Sequence, residues 1–194
     1  MPLPLNHISV EIPFQQWGLD FIGEIHPPSS TQHKWILTAK DYFTKWIEAI
    51  PTRSATEFVI IKFLETNILS RFGCPRKIIT DNAASFKSKK IVHFCHKYRI
   101  TLGHSTVYYP QGNGLVESSN KSLINIIKKL LEQNQKAWHG KLVHALWADR
   151  LTTKKSINTS PYQLVYGMDV VFPTSLGVPV MKLLQEVQVE ENDM

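Results

Sequence analysis

The order of hydrophobic patterns along this 194-residue chain predicts an α/β fold, a mixed five-stranded sheet flanked by helices. Three observations predict it. Strand-like runs at 17–24, 35–41 and 47–50 follow one another with only turn-type connections between them, which gives the sheet an antiparallel start. A strand, helix, strand order then occupies 77–80, 88–98 and 100–104, and such an order adds parallel strands. Beyond these, apolar residues recur at helical spacing from 115 to about 133 and from about 138 to 152.

Residues 1–13 carry Pro2, Pro4 and Pro13 without a period and read as an N-terminal linker, so the compact unit is expected over 14–160. In the first strand, alternation sends Trp17, Leu19 and Phe21 to one face and Gly18, Asp20 and Ile22 to the other. The Pro27-Pro-Ser-Ser30 turn and a hairpin-like connection around Thr44 separate the first three strands. Over 56–71, Phe58, Ile61, Leu64 and Ile68, with Phe72 just beyond, recur at helical spacing; Ser54 or Thr56 is the N-cap, and Gly73 and Pro75 stop the helix. The strand 77–80 leads into Asp81 and the Asn82-Ala-Ala-Ser-Phe86 turn. A loop over 105–112 precedes the long helix, whose apolar residues are Val116, Leu123, Ile126, Ile127, Leu130 and Leu131. The last helix packs Leu142, Leu146 and Trp147. Residues 161–194 form a C-terminal extension of weak pattern, acidic at its end through Glu186, Glu190, Glu191 and Asp193.

No stretch approaches the roughly 20 uninterrupted apolar residues that span a membrane. The N-terminus lacks a basic region followed by an apolar one. With no targeting signal visible, nucleus and cytoplasm are the expected compartments. Two cysteines cannot staple a domain of this size, so Cys74 and Cys95 read as free thiols. His93-Phe-Cys-His96 lacks a second ligand pair at finger-like spacing, and zinc is not expected there. Residues 71–155 hold sixteen Lys or Arg against four acids, +12, which leaves −6 for the rest of a chain of net charge +6. A basic block of that size suits a polyanion held by its phosphates.

Within that setting three carboxylates stand where a charge is unwelcome or a special backbone is being built. Asp20 interrupts an apolar strand. Asp81 ends a parallel strand, at the carboxyl edge where open α/β sheets hold ligands. Glu117 follows the glycine-bearing loop 110–114 at the start of the long helix. The 35 residues between Asp81 and Glu117 suffice for a helix, a strand and a loop that return the chain to the same edge. Three converging carboxylates suit a pair of hard divalent cations, magnesium with manganese as substitute. Two such ions about 3.5–4 Å apart activate an attacking oxygen and stabilise the leaving oxygen of a phosphodiester. Asp41 ends a strand too, but hairpin chemistry follows it in Tyr42-Phe-Thr-Lys-Trp46, so its expected role is structural. Lys121 and Lys128 lie four and eleven residues after Glu117, on one helical stripe along which a phosphate backbone fits. Tyr108, Tyr109 and Gln111 are placed to stack on or hydrogen-bond nucleotides.

The motifs Trp17-Gly-Leu-Asp20-Phe-Ile-Gly23, Asp41-Tyr-Phe-Thr-Lys-Trp-Ile-Glu-Ala49, Arg71-Phe-Gly-Cys-Pro75, Thr80-Asp-Asn82 and Tyr109-Pro-Gln-Gly-Asn-Gly-Leu-Val-Glu117-Ser-Ser-Asn120 occur in that order. As a set, over 14–173, they resemble the integrase catalytic core of Ty3/gypsy-type LTR retrotransposons, and more distantly that of retroviral integrases. The resemblance implies a ribonuclease H-like fold, with Asp20, Asp81 and Glu117 as the metal-binding and catalytic residues. It also implies that Gln111, Asn113, Asn120 and Lys121 approach DNA. The implied activity is metal-dependent transfer of an element's DNA 3′ ends into target DNA, performed by a homodimer or larger assembly. Such integrases carry an upstream zinc-binding domain and a downstream domain, neither visible here. Ala83 stands where that family usually has glycine, and Ser118 where it commonly has arginine. Two other classes remain open at this stage: a ribonuclease H-type hydrolase of RNA·DNA hybrids, and an inactive remnant that only binds nucleic acid.

Overall fold

Five strands, β1 (Gln16–Ile22), β2 (Trp35–Asp41), β3 (Ile47–Thr52), β4 (Lys77–Thr80) and β5 (Thr101–His104), form one sheet in the order β3-β2-β1-β4-β5. The structure is a computed structural model that describes residues 12–105, 111–131 and 134–170, with the side chains of 111–115, 117 and 118 left out of that description. β1 pairs antiparallel with β2, and β2 with β3, whereas β4 runs parallel to both β1 and β5. The expected mixed sheet is therefore present, and β1 is the strand where the two pairing modes meet. β1 ends two residues earlier than its pattern suggests. Gly23 takes a φ of +143°, where a Cβ would stand 2.8 Å from the Lys34 carbonyl oxygen.

At the β2–β3 turn, Asp41 is fully buried. Its Oδ2 accepts from the Thr44 N–H and hydroxyl, each at 2.7 Å, and its Oδ1 accepts from the Phe14 N–H at 3.0 Å. Burial raises its pKa and the Thr44 bonds oppose that rise. The structural role expected for Asp41 is the one it has.

The helices are α1 (Glu57–Phe63), continued through a π-helical segment (Leu64–Leu69) into α2 (Ser70–Phe72), then α3 (Lys89–Lys97), α4 (Gln111–Leu130), α5 (Trp138–Leu151) and α6 (Pro161–Tyr166). Two expectations need correction here. Phe58 does not belong to the buried face of α1: it is 63% exposed, with the Lys90 ammonium 3.7 Å from its ring centre, and Ile60 and Phe63 are buried instead. The buried row runs through Ile60, Leu64 and Ile68, four residues apart, and Phe58 falls outside it. Helix α4 starts at Gln111, inside the segment expected to be a loop. Each glycine there disfavours helix by about 1 kcal/mol relative to alanine. The packing of α4 on the sheet offsets it.

The two faces of the sheet bury separate cores. Trp17, Leu19, Leu37 and Ala39 pack with α1, the π segment and α3. Ile36, Ile47 and Ala49 pack with α4 and α5. Alternation along β1 thus places Gly18, Asp20 and Ile22 toward α4, as the pattern predicts. The buried Glu48 carboxylate ties β3 to both layers: it accepts from Trp46 Nε1 at 2.8 Å, Arg71 at 2.6 Å and Arg150 at 3.0 Å. Helix α6 follows residue 160 and lays Tyr162 against Trp147, with ring centres 6.3 Å apart.

Helix α4 lies close to β1 and β2. A Cβ on Gly18 would stand 2.4 Å from Val116 and 2.9 Å from the Tyr42 ring, so only glycine lets the helix come this near. One turn on, Lys40, 5% exposed, donates to Ser119 Oγ from beneath the helix. Burial pushes the Lys40 ammonium down from 10.5 to about 8, against the attraction of Asp149 and together with repulsion from Lys154 and Lys45.

Two outcomes follow from this packing. Gly18→Ala forces the helix or Tyr42 to shift and lowers the unfolding free energy by about 1–3 kcal/mol, read from urea denaturation; an unchanged midpoint contradicts the close approach. For Lys40, the unfolded chain keeps a proton that the folded chain has released between about pH 8 and 10.5, so this residue's contribution to stability rises with pH across that window. Lys40→Met removes the penalty, by at most roughly 3 kcal/mol at neutral pH. The stability difference between variant and wild type then narrows from pH 8 to 10.5, and parallel profiles contradict a buried charge at Lys40.

Candidate active site

The parallel register between β1 and β4 runs from Gln16 beside Lys77 to Leu19 beside Thr80. The next positions are Asp20 and Asp81. Neighbouring strands lie about 4.8 Å apart, and residues in register project to the same face. Continued by one residue, that register sets Asp20 of β1 beside Asp81, the residue that follows β4. This also explains a carboxylate in the middle of β1: β1 continues past Asp20 in its pairing with β2, but its partner on the other side has ended. The half-open ladder leaves Asp20 only partly buried.

Asp20 is held at both oxygens. Oδ1 accepts from the Phe21 N–H at 2.8 Å, and Oδ2 accepts from Asn120 Nδ2, also at 2.8 Å. The Asn120 amide is itself oriented by the buried Thr38, whose hydroxyl lies 3.1 Å from Asn120 Oδ1 and 3.2 Å from the Asp20 carbonyl. A hydroxyl proton on the amide oxygen turns the NH2 toward the carboxylate. Asp81 Oδ1 accepts from the Ala83 N–H at 2.9 Å, the short local bond that shapes an Asx-type turn. Ala83 fills its position with a negative φ, so this turn does without the glycine usual in the family it resembles. Asn82 fastens the turn to the end of β5 by donating to the Ser105 carbonyl at 2.7 Å, and Phe86 anchors its far side in the core against Phe21.

Glu117 lies on the backbone of α4, one residue after the Val116 that packs at Gly18 and three before Asn120. Positions three apart share a side of a helix. The Glu117 side chain lies outside the described residues, as do Tyr108 and the side chains of Gln111 and Asn113. Asp20 and Asp81 thus follow a paired position on neighbouring strands, and position 117 lies on the helix that Asn120 ties to Asp20. Among the described residues, no group of three His, Cys, Asp or Glu side chains gathers to hold a metal. Lys121 and Lys128 are exposed on α4, whereas the Asn120 amide turns inward to Asp20.

The residues present fit a hard divalent cation. Their donors are carboxylate oxygens, which suit magnesium or manganese rather than softer metals. Two carboxylates side by side repel one another, and a cation between them relieves the repulsion. Sequence reasoning missed the parts played by Thr38 and Gly18. A signal was available for Thr38, a polar residue in an apolar strand on the face that alternation shares with Asp20 across the sheet.

The model of the integrase core domain family matches residues 10–110, a span that contains both aspartates. Among similar proteins, the Gag-Pol polyprotein of Avian reticuloendotheliosis virus is 32% identical over 156 residues, 80% of this chain and 13% of the polyprotein. That of Baboon endogenous virus (strain M7) is 33% identical over 152 residues, 78% of this chain and 9% of the polyprotein. The chain therefore spans a small part of the curated relatives it matches. Of solved structures, the HTLV-2 integrase catalytic core domain in complex with magnesium, in a trimeric form, superposes with a TM-score of 0.62 at 25% identity, over 80% of this chain and 98% of that one. A simian T-cell lymphotropic virus intasome in complex with PP2A regulatory subunit B56 gamma gives a TM-score of 0.72 at 23% identity, over 89% of this chain and 61% of that one. The sheet order and these superpositions make the fold ribonuclease H-like. On the family match over slightly more than half its length, this chain belongs to the integrase core domain family.

Proposed function

We propose that this chain is the catalytic core of a retroelement integrase of the Ty3/gypsy kind, which joins the 3′ ends of element DNA to target DNA by magnesium-dependent polynucleotidyl transfer. The observation that carries the reading is the placement of Asp20 and Asp81 as successors of the Leu19 and Thr80 pair, in a member of the integrase core domain family. Asp20, Asp81 and Glu117 hold the cations; manganese replaces magnesium. Two ions seated there supply activation of the attacking hydroxyl and charge stabilisation of the leaving oxygen. The protein's own part is positioning. Thr38 and Asn120 fix the Asp20 carboxylate, so the site is built before substrate arrives. Lys121, exposed one turn beyond Glu117 on α4, takes a backbone phosphate. In the transfer, an O3′–P bond to the target forms while the target's own P–O3′ bond breaks in line, and a target 3′-hydroxyl leaves.

The intasome and the trimeric core among the structural relatives support an assembled form, and we extend this to a homodimer or larger assembly on DNA, acting in nucleus and cytoplasm. The reverse reaction on a branched DNA, disintegration, is the assay of choice. Wild-type chain with magnesium or manganese is expected to resolve the branched substrate, and chelation stops it. Asp20→Asn, Asp81→Asn and Glu117→Gln each fall to background while keeping the wild-type melting curve. A variant that retains activity removes its residue from the mechanism. Cleavage of an RNA·DNA hybrid without any joining of DNA replaces the transferase with a hydrolase.

A further inference from the structure

Past Asp20, the α4 face of the sheet opens into a cavity of about 580 Å³. That volume falls in the range of about 300–1,000 Å³ typical of small-ligand sites. Its walls are apolar: Ile22 and Ile36 from the sheet, Ile124 and Ile127 from α4, and Trp138 from α5. Trp138 is 2% exposed, and its indole N–H finds no acceptor among the described residues. The rim is charged. Glu24 there is neutralised by Lys34 at 2.9 Å, which leaves the exposed Lys128 and His26 to face the opening.

The occupant's chemistry follows from these walls. It is a largely apolar body attached to an anionic group outside for Lys128. Ile22 lies two residues beyond Asp20 on the same face of β1, so the cavity begins about 7 Å along the strand from the carboxylate. We propose that the cavity receives one unpaired nucleobase of the DNA strand held at the aspartate pair. The isoleucines and the Trp138 ring cover the base, and Lys128 takes an adjoining phosphate. The inference rests on DNA being the substrate of this site. It gives Lys128 a particular phosphate rather than a place on a basic stripe.

The test uses the full, isotope-labelled chain without divalent cation, following the indole N–H resonances of its five tryptophans. Trp138→Phe identifies the Trp138 signal; if that variant fails to fold, through-space contacts to the other lining side chains identify it. Titration with a short single-stranded oligothymidylate is expected to shift the Trp138 signal, whereas an abasic strand of the same length leaves it in place. Lys128→Glu is expected to weaken the titration by about tenfold. An oligothymidylate that shifts other signals but not Trp138, or an abasic strand that shifts Trp138 equally, overturns the cavity inference and leaves the transferase reading standing. A shifted Trp138 in a chain that cannot disintegrate branched DNA does the reverse. A strand that shifts nothing overturns the cavity inference, and the disintegration assay with metal then decides the transferase reading on its own.

Discussion

Helix α4 reaches the sheet only because β1 offers a glycine where it crosses. At Gly18 even a methyl group would stand 2.4 Å from Val116, and this contact fixes the height of the helix over β1. Asp20 stands two positions along the strand from that crossing, Glu117 one position along the helix, and Asn120 one turn further, bonded back to Asp20. A side chain at 18 would lift the helix, lengthen the 2.8 Å bond between Asn120 and Asp20, and part the strand acids from the helix acid together. The site therefore depends on a packing constraint before it depends on any charge.

The crossing is polar at one end and apolar at the other, and the balance differs along it. Toward the C-terminus of α4, Leu123, Ile126 and Ile127 bury hydrocarbon against Ile36 and α5, which supplies the stabilisation. Toward its N-terminus, the helix covers Thr38, Lys40 and Asp20, groups whose burial is unfavourable unless bonded. Thr38 and Asp20 are satisfied through Asn120, and Lys40 through Ser119 with Asp149 nearby. For Lys40 the desolvation wins, which is why its ammonium is pushed down toward neutrality. Asp20 lies where the β4 pairing ends and is only partly buried, so its carboxylate is open on that side to meet a cation.

Much of this was legible in the residues. The alternation of Trp17 through Ile22 gave the correct faces, because two different cores lie above and below β1 and each imposes period two. The strand, helix, strand order gave the parallel half of the sheet, and so brought Asp81 to the edge where Asp20 stands. What escaped was long-range or local to unusual backbone. Thr38 and Asn120 are 82 residues apart, and no local pattern announces their bond. Phe58 carried a helical spacing, but the buried row of this helix runs through Ile60, Leu64 and Ile68, four residues apart, and leaves Phe58 outside it. Gly112 and Gly114 read as loop, yet the backbone there is helical because the tertiary seat of α4 outweighs glycine's preference.

The most direct measurement is a crystal structure of the chain grown with manganese, located by its anomalous scattering. Convergence of strand and helix at Gly18 predicts manganese between Asp20 and Asp81, with the Glu117 carboxylate turned toward the same ions and metal–oxygen distances of about 2.0–2.3 Å. Manganese bound elsewhere, or a Glu117 carboxylate directed to a different surface with the aspartate pair empty, contradicts a shared metal centre.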